Sequence, residues 1–179
     1  PEAVLARVEA LFAETLGTTG NRAPVLGVGV GLPGPVESGV GRPAAPPIMP
    51  GWDNYPVRDR LASHVGAPAW VDNDVNTVAL AEHRFGAGAG YSSVVCAAVG
   101  TGVGGGLILD GKLWRGANHA AGELGHMIID PDGPACGCGN KGCVEAFCSS
   151  SAMLARCRDK LSRKMTPAFE EILSGDGGE

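Results

Sequence analysis

Three cysteines fall within the short run CGCGNKGC, from Cys136 to Cys143, and His126 precedes them by ten residues. One imidazole and three potential thiolates, His126, Cys136, Cys138 and Cys143, make the Cys₃His set of a closed tetrahedral zinc site. Soft sulfur donors favour Zn2+ over Mg2+ or Ca2+. Gly137, Gly139 and Gly142 give the backbone the freedom to wrap tightly around an ion. Lone cysteines are often no more than small buried apolar residues, but crowding of this kind argues for metal, and a disulfide framework belongs to short secreted scaffolds. Cys96, inside an apolar strand, and Cys148 and Cys157, on or beside a helix, read instead as packing or surface residues.

A chain of 179 residues accommodates one ordinary domain or two small ones. With 44% hydrophobic and 18% charged residues it has the makeup of a folded globular chain. The net charge of -5 and the lack of a dense Lys/Arg run argue against nucleic-acid binding by this segment's own surface. No apolar stretch is long enough to cross a bilayer, and Glu2 and Glu9 stand where a signal peptide would carry positive charge, so a cytoplasmic location is expected. A start at Pro1 and a polar SGDGGE end suggest an internal piece of a longer protein.

Along the chain, apolar residues at helical spacing predict a helix over residues 3 to 16. Val25 to Gly31 reads as a strand broken at Pro33-Gly34-Pro35. The proline-rich stretch 41 to 54 predicts an extended loop, followed by a short helix from Val57 to His64. PAWVDND is a second strand and VNTVALAEHRFGAGAG a helix with a glycine stop. This rhythm defines α/β. From Ser92 to Gly116 two apolar strands joined through glycines open a new sheet, which puts a domain boundary near Gly90 and divides the chain into 1–90 and 91–179. Helices are expected over Ser151 to Ser162 and Pro167 to Leu173.

Asp74 lies at the carboxyl end of the second strand, where open α/β sheets gather ligand-binding residues. A carboxylate there can take a proton from a hydroxyl that attacks a phosphoryl group. An Asp in this position is by itself more often a helix cap, and Asp72 competes for either task. Asn73 offers both donor and acceptor. Gly100, Thr101 and Gly102 open a glycine run whose amides could approach phosphate oxygens, although a plain turn explains such a run equally well. Glu123 precedes His126 by one helical turn and Glu145 follows Cys143 by two residues. Metal binding through one nitrogen of His126 would leave the other to meet a ligand, with both carboxylates nearby; a solvated face is the alternative for the two glutamates.

Taken together, GVGLPGPV, VDNDVNTVALAE, GTGVGGG, GELGHM and CGCGNKGCVEAF resemble the successive motifs of the ROK family of sugar kinases and sugar-responsive transcriptional repressors. The resemblance spans roughly residues 24 to 160 and is most specific in the pairing of GELGH with the cysteine run. It implies an actin-like (ribonuclease H-like) two-domain architecture, here incomplete at both ends, with sugar bound between domains. It also implies Asp74 as catalytic base, with Asn73, Glu123, His126 and Glu145 as sugar ligands. Gly100, Thr101 and Gly102 would then lie near the phosphates of MgATP. The partners implied are a hexose, of glucose or N-acetylhexosamine type, and ATP, in a homo-oligomer. A repressor of this family would use the same sugar site and a separate helix-turn-helix.

Overall fold

The computed structural model describes residues 1–18, 24–46 and 49–163. They divide into two compact units, one of residues 1–96 with 105–122, the other of 97–104 with the residues from 123 onward.

The first unit is built on two parallel strands, β1 (Val28–Leu32) and β4 (Ala69–Asn73), paired from Val28 with Ala69 to Leu32 with Asn73. Parallel pairing needs a long crossover. Here it holds the short ribbon of β2 (Val36–Glu37) with β3 (Arg42–Pro43) and the helix α2 (Val57–Val65). Leu32, Val36, Trp52, Val57, Leu61, Ala69 and Val71 bury themselves together with Leu5 of helix α1 (Glu2–Thr18). Leu5, Leu32 or Leu61, cut to alanine, would each cost about 2–5 kcal/mol. Gly66 closes α2 in the left-handed conformation (φ 70°), its N–H bonded to the Ala62 carbonyl, a conformation that residues with a Cβ resist.

The strand expected from Val25 starts at Val28, and the loop expected over 41 to 54 contains the two-residue β3. Between Ser92 and Gly116 there are three strands where the sequence suggests two: β5 (Val94–Val99), β6 (Val103–Leu109) and β7 (Lys112–Trp114), in that order across one sheet. The extra strand follows from Asp110-Gly111, both at positive φ (49° and 73°), which is the two-residue turn that matches the twist of a hairpin. Leu109 consequently pairs with Lys112. β5 and β6 carry the chain out of the first unit and back.

In the second unit, a 3₁₀ turn (Leu124–His126) precedes the cysteine run, and helices α4 (Val144–Cys148) and α5 (Ser150–Arg163) follow it. Helix α3 (Asp74–Phe85), in the first unit, starts directly at the end of β4. The helix expected over Pro167 to Leu173 lies outside the described residues. No described helix is long and apolar enough to cross a membrane.

α1 is fastened by Glu2, which accepts from the Tyr55 hydroxyl at 2.5 Å and from Arg60 at 2.8 Å, and by Glu9, bonded to Arg60 at 3.0 Å. The Tyr55 hydroxyl first, and Arg60 second, hold the Glu2 carboxyl below its ordinary value. A carboxyl lowered in the folded state stabilises it fully above the unfolded value and loses that contribution as pH falls through the lowered one. Glu2→Gln is therefore expected to remove a small acid-dependent part of the protection of α1, read by amide hydrogen exchange of residues 2–10 between pH 6 and pH 3. Identical pH dependence in the wild type and the variant would refute this.

Candidate functional site

Three consecutive polar residues end β4, and the fold gives each a different task. Asp72 is 8% exposed, with Oδ2 bonded to Arg115 Nε at 2.9 Å and Nη2 at 2.5 Å. Its Oδ1 accepts from the Asn73 N–H at 2.9 Å and Asn76 Nδ2 at 3.2 Å. A carboxylate so buried and so fully bonded is structural. Asn73 is the helix cap: its side-chain oxygen takes the Asn76 N–H at 3.0 Å and its amide donates to the Gly34 carbonyl at 3.1 Å. An amide carries two N–H donors and two lone pairs, so one of each remains for a ligand.

Asp74 is left as the first residue of α3, exposed, with one oxygen accepting the Val75 N–H at 2.9 Å. The backbone of β1 runs close by, since a Cβ on Gly31 would stand 3.0 Å from the Asp74 Cα. The cap therefore falls to Asn73, and the carboxylate of Asp74 is spared for other work.

In the second unit the ligand atoms of His126, Cys136, Cys138 and Cys143 all lie within 4.8 Å of one another. Cys136 Sγ is 3.7 Å from His126 Nδ1, and Cys138 Sγ is 3.7 Å from Cys143 Sγ. Tetrahedral ligands with Zn–S near 2.3 Å and Zn–N near 2.0 Å stand roughly 3.5–3.8 Å apart, so the cluster fits such an ion. Cys136 and Cys143 are buried and Cys138 is exposed. Hydrogen bonding from the Asn140 backbone brings the Cys138 thiol down to about 7, and burial pushes that of Cys143 up to about 12. Binding an ion would displace the proton of Cys143.

The turn around the cluster needs glycine where its backbone is tightest. Gly142 has φ 66° and a Cβ there would run into the Asp130 carbonyl; Gly125, next to His126, lies against the Val103 carbonyl in the same way. With Nδ1 of His126 toward the thiols, Nε2 points from the opposite edge of the ring. The His126 N–H bonds the Glu123 carbonyl at 3.1 Å, closing the 3₁₀ turn. Residues three apart on such a turn share a side. The Glu123 side chain makes no hydrogen bond among the described residues.

Glu145, in the first turn of α4, joins two elements. One oxygen accepts the Val103 N–H at 2.8 Å, and the other lies 4.0 Å from Cys136 Sγ. A Cβ on Gly102 would come within 2.7 Å of the Glu145 carboxylate, so glycine lets the loop close over it. Gly100 and Thr101 are also held, their carbonyls accepting from the Ser150 N–H at 2.8 Å and Ser151 Oγ at 2.7 Å. The later glycines of the run serve packing: Gly106 sits in β6 with room for a Cβ removed by Ala79 at 2.6 Å. Beside Thr101, a cavity of about 420 Å³ is lined by Cys136, Gly137, Glu145, Ser151 and Arg156 among others.

The sequence reading misses Arg115, the cation that singles out Asp72. Its partner lies 43 residues away along the chain, so no local pattern pointed to the pair. Val103, whose amide anchors Glu145, carries no signal at all, because the contact is through its backbone.

Parallel pairing of β1 with β4, an exposed acid just past the carboxyl end of β4 and a Cys₃His cluster make this an α/β chain with two candidate functional centres. Comparison with known proteins identifies the family. The ROK family pattern matches residues 1–173, and the chain belongs to the ROK family. The glucokinase of Thermotoga maritima is 38% identical over 152 residues, 85% of this chain and 47% of that protein. The xylose repressor of Caldicellulosiruptor bescii is 40% identical over 131 residues, 73% of this chain and 33% of that protein. The crystal structure of a ROK family glucokinase from Streptomyces griseus, in complex with glucose and AMPPNP, superposes with a TM-score of 0.75 at 34% identity, covering 89% of this chain and 51% of that one. The chain thus spans about half the length, or less, of these relatives. Its fold is the actin-like α/β fold of the ROK sugar kinases.

Proposed function

We propose that the protein to which this chain belongs is an ATP-dependent hexose kinase. Asp74 acts as general base. As the hexose hydroxyl oxygen forms its bond to the γ-phosphorus, the bond from that phosphorus to the β,γ-bridging oxygen breaks, the hydroxyl proton passes to the Asp74 carboxylate, and ADP leaves. The single observation that carries this reading is the freedom of Asp74, whose neighbours take the ion pair and the helix cap. The glucokinases among its relatives support it.

The hexose hydroxyls are proposed to meet Asn73, Glu123, Nε2 of His126 and the remaining lone pairs of Glu145. In the turn that the Gly100 N–H closes onto the Gly102 carbonyl at 2.9 Å, the Thr101 and Gly102 amides would lie against the phosphates of MgATP, where oriented N–H groups hold anionic oxygen. In this reading residues 1–90 belong to a small domain carrying the base and residues 91–179 to a large domain carrying the phosphate loop and the metal. Zinc would be held by His126, Cys136, Cys138 and Cys143, fixing the imidazole through Nδ1 and the loop around it. The working location is proposed to be the cytoplasm, as a homo-oligomer.

The similarity to a xylose repressor favours a second reading, in which the same sugar site controls a DNA-binding segment elsewhere in the protein. A repressor needs sugar binding but neither a base nor an ATP phosphate loop. Incubating the full-length protein with MgATP and a panel of hexoses, while following ADP release, separates the two. Sugar-dependent ADP release is expected with glucose or an N-acetylhexosamine. Sugar binding without ADP release from any hexose would favour the repressor. The coding sequence upstream discriminates independently, a phosphate-binding strand indicating a kinase and a recognition helix a repressor.

A further inference from the structure

Asp72, Asn73 and Asp74 follow one another, yet the exposed carboxylate is presented by the last alone, and the selection is made by a residue far along the chain. Arg115 stands just after β7 and directs two N–H groups at a single oxygen of Asp72, at 2.9 and 2.5 Å. The other oxygen of Asp72 is thereby left to the turn that starts α3, through the Asn73 N–H and Asn76 Nδ2. Asn76 is 3% exposed and its side-chain oxygen has no partner among the described residues, so the bond to Asp72 is what fixes the amide. Four hydrogen bonds converge on one carboxylate, two from Arg115 and two from the backbone and side chain flanking Asp74.

Without its cation, an acid this deeply placed must take up a proton or turn toward water, because an unpaired buried charge is not tolerated. Either change alters the bonds that set the residue before Asp74 and the first turn of α3. Displacing a reacting group by about 1 Å can lower turnover roughly 100-fold. We propose that Arg115 is a positioning residue for phosphoryl transfer, acting through Asp72 to hold Asp74 where it meets the hexose hydroxyl. This rests on the reading of Asp74 as the base. Both N–H groups that Arg115 commits are spent on Asp72, so in this proposal its effect falls on turnover and not on sugar affinity.

The test uses the full-length protein and four variants: Arg115→Met, Arg115→Lys, Asp74→Asn and the double variant Arg115→Met with Asp74→Asn. Arg115→Met is expected to lower kcat roughly 10- to 100-fold, with the hexose KM within about threefold of wild type. Should that variant not fold, Arg115→Lys is read in its place, since a single ammonium keeps the charge but cannot reproduce the two-pronged contact. In the Asp74→Asn background the Arg115 substitution is expected to add little, because both act through one base. A full additional loss in the double variant, or an Arg115→Lys enzyme with unchanged kcat, would overturn the proposal while leaving the base in place. Unchanged turnover in Asp74→Asn alone removes the base itself, and this proposal with it.

Discussion

Asp74→Asn is expected to leave the protein folded and able to bind hexose while kcat falls by roughly 10² to 10⁴, the range that a positioned general base contributes. The substitution is conservative where the fold is concerned. Asn keeps an oxygen for the Val75 N–H, the one side-chain bond that Asp74 makes among the described residues, and the cap on α3 belongs to Asn73. Burial does not change either, for the side chain is exposed. What disappears is the capacity to accept a proton as the hexose oxygen attacks. An interaction used in the transition state and not in the ground state shows itself in kcat, so equilibrium hexose affinity should stay within about threefold. The measurement pairs steady-state turnover with calorimetric titration of hexose. A parallel loss of affinity and turnover would point to Asp74 as a sugar ligand in place of a base, and no loss of either would remove it from the site.

The parts of this site that were legible in the sequence are those whose physics is local. His126 and the three cysteines lie within eighteen positions, and glycines stand where the turn demands them, so the clustering of the four side chains and the tightness of the loop could be read together. The hairpin from β6 to β7 was equally local in its cause, and reading Asp110-Gly111 as a turn would have found it. The division of labour among Asp72, Asn73 and Asp74 was not legible. Alternation along a strand says that neighbours face opposite ways, but not which way the core lies. That depends on Arg115, 43 residues on. Glu145 is a similar case: its partner, the Val103 N–H, is 42 residues away and belongs to the backbone, which no pattern of side chains announces. Family resemblance supplied the roles proposed for these residues, and the structure adds the hydrogen bonds each of them makes.

Removing the zinc proposed for the Cys₃His cluster is the perturbation expected to affect stability most. Zinc sites of this kind contribute about 10–16 kcal/mol of apparent binding energy in small peptides, whereas a whole domain is stable by only about 5–15 kcal/mol. Here the four ligands come from the 3₁₀ turn, the cysteine loop and the residue before α4, three segments joined among the described residues by isolated strand bridges at Ile128 with Cys143 and Ala135 with Lys141. Backbone bonds reinforce those bridges, from the Ile129 N–H to the Gly142 carbonyl at 2.9 Å, from Cys136 to Asn140 and from Gly142 to Pro134 at 2.8 Å, and from Val144 to Met127 at 3.0 Å, and the proposed ion would add four bonds between side chains to this frame. Even if the site contributes only about 4 kcal/mol in this context, losing it lowers the melting temperature by roughly 8–16 °C for a chain of this size. Cys143→Ser is the informative substitution, because Cys143 is buried and a hydroxyl there is a poor ligand for a soft-ligand site. The variant is expected to bind less than one zinc per chain by elemental analysis and to melt at the temperature of wild type treated with a strong chelator. Because Glu145 reaches from beside Cys143 to the Val103 amide, loosening of the loop should extend to residues 100–103, seen as faster amide exchange there. A wild-type protein that holds no zinc after purification, or whose melting temperature ignores the chelator, would exclude a metal from this loop and leave the four side chains as an unusually close set of free thiols around an imidazole.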